Sequence, residues 1–296
     1  MKCGASLAVA LAMAAAGGAG PDEARAEPPP VAAPNAAVPH EPAPLVPLAG
    51  DAVQRLRSGN ADQIASALDD VRVSGRGGAS AVPCIVELLQ TGLPLPLTIA
   101  AIEALGDTES SASAEVLSWY VRHRDVDVRR AAVGAIAKTR APNASRVLRA
   151  ALSDADPAVR GIAASSLGDL KAFDAETDLF AALDRGVSEA AKPIGALCTP
   201  AECDRLAAKL GRIPFEVVSS GLSNVLLRPP SEIDDAFKIK LVDRLRDMGT
   251  AEVHGFLKDL QSKWPARFSQ RVKQAIDAAV AETAASPGTP SPEGSP

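Results

Sequence analysis

The sequence predicts an all-α chain built as a stack of helix pairs, and three observations carry that expectation. From Ala81 onward the residue pattern returns every 31 positions, a period at which small helical units stack side by side. Within a unit the apolar residues Val159, Ile162, Ala163, Leu167 and Leu170 are spaced to share one face of a helix. Aspartate and proline stand where helices would begin, as in Asp156-Pro157, an N-cap carboxylate before a first-position proline.

Taken from the N-terminus, the first segment reads as a targeting signal. Met1-Lys2 is followed by an apolar run from Ser6 to Ala16, too short to span a bilayer comfortably. Ala24-Arg25-Ala26 then supplies the small residues that a signal peptidase reads. Residues 1–26 are therefore expected to be a secretory signal peptide, and the remaining chain periplasmic or secreted. Cys3 precedes the apolar run, whereas a lipid-modified cysteine would follow it. Residues 27–50 form a Pro/Ala-rich linker, extended because proline fixes φ and lacks an amide donor. A second Pro-rich stretch, residues 284–296, is expected to be a disordered tail. The folded part is then 51–283, long enough for a sizeable core.

The folded part opens with helices capped at Asn60-Ala61-Asp62-Gln63, a candidate capping box. Gly75-Arg76-Gly77-Gly78 reads as a loop. The repeat is clearest over 81–200. Leu105-Gly106, Ile136-Ala137 and Leu167-Gly168 fall in register, as do Ala101, Ala132 and Ala163, and Leu97, Val128 and Val159. Each unit is expected to be two helices joined by a short turn, one of them running from Pro142 to Leu152. The pattern then decays: Asp184 to Leu197 lacks the Asp and Arg positions, and Pro193 is expected to interrupt its helix. Further helices are expected near 201–211, 214–227, 232–248, 251–263 and 266–282, as degenerate repeats forming a C-terminal cap.

Ala81-Val82-Pro83-Cys84-Ile85-Val86-Glu87-Leu88-Leu89 resembles the first-helix pattern of the HEAT-repeat family, in particular its short HEAT-like repeats of the phycobilisome-lyase type. Asp154-Ala155-Asp156-Pro157-Ala158-Val159-Arg160 and the residues through Gly168 are similar to the second-helix pattern, and Asp125 through Ala132 is another copy. The resemblance implies a right-handed α-solenoid whose second helices line a concave face. It also implies that Asp125, Asp127 and Asp156, with Arg129 and Arg160, form the ladder that joins adjacent units.

Three cysteines follow the signal. Thr199-Pro200-Ala201-Glu202 reads as a capping box with Pro at the first helical position, which makes Cys198 the N′ residue and Cys203 the N4 residue. Side chains at these positions normally touch, and in an oxidising compartment a Cys198–Cys203 disulfide is expected. Cys84 lies in an apolar helical run and is expected in the core.

Composition excludes more than it assigns. The formal net charge is 31 − 36 = −5, so no global positive field attracts nucleic acid. Six Phe, two Trp and one Tyr are thin for a stacking surface, and three His offer little for a catalytic or metal cluster. No phosphate loop, dinucleotide-binding glycine pattern, nucleophile elbow or zinc-protease motif is present. The most informative signal is charge patterning. Residues 117–160 hold nine Arg and Lys against four Asp, or +5, while 51–116 hold four against nine, or −5. Arg130, Lys138 and Arg124 point away from the apolar stripe and are the candidate binding residues for an acidic partner surface, with Gly134, Ala164 and Ser165 keeping the face shallow. The expected function is thus an exported protein-binding scaffold without catalysis, cofactor, metal or nucleic-acid partner. Two alternatives stand beside it: a bilin lyase or chromophore-binding protein, by resemblance, and a structural spacer of an envelope complex.

Overall fold

Aspartate, threonine and proline begin the helices because each either satisfies or dispenses with an orphan amide. The computed structural model describes residues 45–285. In order these form α1 (Ala52–Leu56), α2 (Ala61–Ser74), α3 (Val82–Thr91), α4 (Leu95–Asp107), α5 (Ala114–Tyr120), α6 (Val126–Thr139), α7 (Ala144–Ala151), α8 (Pro157–Asp169), α9 (Glu176–Asp184), α10 (Ala191–Leu197), α11 (Pro200–Ala207), α12 (Phe215–Leu227), α13 (Asp235–Met248), α14 (Ala251–Lys263) and α15 (Gln270–Ala285). No strand occurs among the described residues. Asp125 accepts from the amides of Asp127 and Val128 to cap α6, and Asp156 caps α8 through Val159 N–H at 3.0 Å. Asp234 and Thr250 do the same for α13 and α14.

The helices stack as an α-solenoid of two layers. The second helices α2, α4, α6, α8, α10 and α12 each pack on the next, while α5, α7 and α9 pack chiefly on their own second-helix partners. The second layer is therefore the tighter one and lies on the inner side of the stack. Small residues make that spacing attainable. A Cβ on Gly106 would lie 2.7 Å from the Cα of Ala135, and one on Gly168 would lie 2.8 Å from the Cβ of Pro193. On Gly195 it would lie 2.0 Å from the carbonyl oxygen of Gly221. Val128, Ala132, Val159, Ala163 and Leu167 are buried between them, so one core runs through the stack.

The C-terminal helices continue it. α12 packs on α10 and α14, and α13, α14 and α15 pack on one another. Arg244 of α13 reaches Asp204 of α11 at 2.9 Å. Lys238 is buried here, donating to the Arg228 carbonyl beneath the rings of Trp264 and Phe268. The carbonyl oxygen and ring faces partly replace the water its ammonium has lost.

Several local expectations change. α7 begins at Ala144, not Pro142. Pro193 does not interrupt α10, because the helix starts at Ala191 and leaves the proline in the first turn, where its missing N–H is not needed. Asn60 caps α2 through the amides of Asp62 and Gln63, but its own amide donates to Ser58 Oγ at 3.1 Å rather than to Gln63. Gly75–Ala81 is a 3-10 helix instead of a loop, with Gly77 lying directly under the Val46 carbonyl. α15 runs from Gln270 to Ala285. The expected signal peptide, most of the linker and nearly all of the tail lie outside the described residues.

Cys198 and Cys203 form a disulfide, with Cα atoms 5.3 Å apart, and Cys84 is a buried free thiol. The amide of Thr199 donates to Glu202 at 2.6 Å, as a capping box requires.

Because the obstruction at Gly195 is backbone on both sides, no side-chain rotation relieves it. Gly195→Ala is expected to destabilise the protein by about 1–3 kcal/mol, as overpacking does. A thermal or urea melt of the variant checks this, and an unchanged melt would refute the close approach.

Candidate functional site

The period that builds the stack also places charges side by side. Residues one period apart occupy the same slot on neighbouring second helices. Arg72 and Glu103 are one such pair, 3.2 Å apart. Asp107 and Lys138 are another, at 2.6 Å, and Asp107 also takes Arg72 at 3.3 Å. The next residue in the Arg72/Glu103 slot is Gly134. With Ile99, Ala131 and Ala135 it floors a groove of about 430 Å³ across α2, α4 and α6, rimmed by the charged pairs and Arg130.

Arg130 and Lys138 line this groove, and they are not free cations. Arg130 donates to both Asp156 oxygens, at 3.0 and 2.8 Å, and to Asp127 at 3.0 Å. The Arg130 guanidinium holds the Asp156 carboxyl down to about 2, with the Val159 amide adding to the effect. Arg129 makes a two-pronged contact with Asp154 at 2.9 and 3.0 Å, and donates to the carbonyls of His123 and Arg124. Arg160 makes the equivalent carbonyl contacts, to Asp154 and Ala155 at 2.8 and 2.9 Å. The ladder is therefore Arg129–Asp154 and Arg130–Asp156, with Asp125 serving as a cap. It ends at Arg160 because the slot that holds Asp154 in one unit holds Arg185 in the next.

Arg124 is exposed and enters no ion pair among the described residues. The same holds for Arg122, Arg140 and Arg146. The basic excess of 117–160 thus appears in the turns and on the first-helix layer. Trp119 of α5 lies there too, 60% exposed. It shares a cavity of about 240 Å³ with Arg122 and Arg146. Sequence reading missed this surface because it weighed net charge without asking which cations had carboxylates one period away.

His123 accepts the Asp125 amide at 3.1 Å, and His254 meets Thr283 at 3.0 Å. No group of three or more metal-ligating residues comes together among the described residues. Glu176 of α9 and Glu202 of α11 form a facing carboxyl pair beside the disulfide. Burial, then the Glu202 carboxyl, pushes Glu176 up to about 7, while Glu202 is lowered by the hydrogen bond it accepts from Glu176.

A sequence model of HEAT repeats matches residues 114–192. That stretch, α5 through the start of α10, carries HEAT repeats. No curated protein matches the chain. Among solved structures, the complex of CpcE and CpcF of phycocyanin lyase from Nostoc sp. PCC7120 is similar, at 17% identity and a TM-score of 0.45 over 84% of this chain and 100% of that one. An engineered protein is similar at 15% identity and a TM-score of 0.46, over 79% of this chain and 78% of that one. A designed armadillo repeat protein in complex with peptide (KR)4 is similar at 16% identity and a TM-score of 0.32, over 79% of this chain and 98% of that one. Within the matched stretch, Arg129 and Arg130 join adjacent helix pairs. No helix among the described residues is long and apolar enough to cross a membrane.

The Glu176–Glu202 pair has a pH signature. A carboxyl whose folded value lies above its unfolded one favours the fold while protonated; for Glu176 that contribution is full below about 4.5 and is lost as pH rises through about 7. Asp156 acts oppositely, and its contribution is lost only as pH falls toward about 2. Between about pH 5 and about pH 8, urea midpoints of the wild type should therefore fall relative to those of Glu176→Gln, and parallel curves would refute the assignment.

Proposed function

We propose that this protein is an exported, non-catalytic binding scaffold that receives a protein partner in the groove across α2, α4 and α6. Solenoids of stacked helix pairs use such inner surfaces for binding. The observation that carries the reading is Gly134. Five other helical glycines, 106, 161, 168, 195 and 221, lie within 3.0 Å of a neighbour once a Cβ is added, whereas a Cβ on Gly134, as on Gly255 of α14, meets nothing within 4 Å. A mid-helix glycine costs about 1 kcal/mol relative to alanine, and at 134 no packing within the chain offsets it. What Gly134 does is leave the groove floor open, so that a partner backbone can come close. The surrounding charges are already paired, so a partner does not have to neutralise them.

Export is supported by the apolar run Ser6–Ala16, the small residues at Ala24 and Ala26, and the Cys198–Cys203 disulfide, which persists in oxidising compartments. The expected observation is an intact mass of the native protein beginning at Glu27. One thiol should alkylate under denaturing conditions before reduction, and three after it. A full-length mass with four free thiols would overturn export.

The groove is tested by placing a photo-crosslinking residue at Lys138 in the native host and, as a control, at exposed Lys258 on α14. A defined crosslinked product from 138, absent from 258 and abolished by Gly134→Trp, is expected. The Gly134→Trp variant should melt no lower than the wild type, because the new side chain enters open space and replaces a poor helix former. No product at 138, or one that survives Gly134→Trp, would overturn the groove as a docking site.

A further inference from the structure

We infer that the first-helix layer carries a second docking surface, built on Trp119, Arg122 and Arg146, for an acidic protein segment with an apolar residue among its carboxylates. The geometry arises from the layer spacing. The second helices are drawn together at their glycines and the first helices are not, so α5 and α7 leave a furrow between them. The 240 Å³ cavity of Trp119, Arg122, Arg146 and Val147 lies beside a second one, of about 420 Å³, with which it shares Val121, Arg122 and Ala150. Together they mark a groove along α5, α7 and the turns that follow.

The chemistry of the lining identifies the partner. Arg129 and Asp154 border the groove but satisfy each other at 2.9 Å. On α7, Arg149 is taken by Asp174 and Asp178 of the next unit, at 3.2 and 2.5 Å. Arg146, one helical turn earlier, is left unpaired, as are Arg122 in the groove and Arg124 on the adjoining turn. Arginines without carboxylates on a surface otherwise laced with ion pairs mark where an external carboxylate completes the pairing, because planar guanidinium groups match carboxylates two-pronged. Trp119 provides the apolar contact. It is 60% exposed, the largest ring left open on the described surface, and Trp flanked by Arg is the composition that concentrates binding energy at protein interfaces. Nucleic acid fits less well. Single strands are held by several aromatic rings in succession, and here one ring stands on a chain of net charge −5.

The site is read directly by fluorescence. The chain has two tryptophans, and Trp264 is only 8% exposed, so quenching or a spectral shift on binding reports Trp119. The probe is a synthetic peptide of glutamates flanking a central leucine, titrated into the full mature chain with its disulfide intact. Saturable binding is expected, weakened as salt is raised toward about 0.5 M. The same peptide with lysines in place of glutamates should not bind. Trp119→Ala and the double variant Arg122→Glu/Arg146→Glu should each weaken binding roughly tenfold or more, measured for the alanine variant by anisotropy of a labelled peptide. All three substitutions are at exposed positions, and unchanged melting of each variant confirms that the fold is intact. Gly134→Trp should leave this binding unchanged, which separates the surface from the inner groove. The inference is overturned if the glutamate and lysine peptides bind alike, if neither binds, or if charge reversal has no effect. It is also overturned if an oligothymidine binds more tightly than the acidic peptide.

Discussion

The close approach of successive second helices is the constraint on which the rest of the structure depends. At Gly106 over Ala135, Gly168 over Pro193 and Gly195 over Gly221, backbone or Cβ atoms stand where a larger residue would need to be. This contact draws the inner layer together and leaves the first helices farther apart. It also fixes the relative height of the helices, which is why residues one period apart meet. Arg72 beside Glu103, Asp107 beside Lys138, and the Tyr120 hydroxyl on the Leu89 carbonyl at 3.0 Å are consequences of one spacing.

That spacing divides the charges into two kinds. On the inner face cations find carboxylates in the same slot of the adjacent unit, or, as Arg130 finds Asp156, in the turn that starts the next second helix. Such exposed pairs contribute little stability individually, but they leave the inner face internally neutral around an open floor at Gly134. On the outer layer, where α5 and α7 stand apart, Arg122 and Arg146 enter no ion pair among the described residues. One repeat geometry thus produces a neutral inner groove across α2, α4 and α6 and a cationic outer one along α5 and α7.

Much of this was legible in the sequence, because the repeat is a statement about packing. The period, the Asp-Pro starts and the apolar stripes determine the helices and their stacking, and the N′/N4 placement of Cys198 and Cys203 determines their proximity. The helices after 200 were legible for the same reason. What was not legible follows from relations that no single helix contains. The ladder partners differ from those expected, since Asp154 receives Arg129 and Asp156 receives Arg130 while Asp125 only caps α6, and that depends on the height of the next unit. Arg130 and Lys138 looked like free cations because their partners lie about one period away. Pro193 looked like a break because the start of α10 is set by the turn before it, and not by the apolar stripe. The exposure of Trp119 depends on how far α7 stands from α5.

The central claim is that one tight stack of second helices runs without interruption from the first units into the C-terminal ones. Native-state hydrogen exchange resolved along the chain tests it most directly. The account predicts that amides of α4, α6, α8, α10 and α12 are the slowest to exchange and open together as denaturant is raised, with α5, α7 and α9 exchanging sooner. Independent opening of α10 and α12 while α4 and α6 stay protected would contradict it, because the chain would then hold two separate cores joined near Gly168 and Pro193.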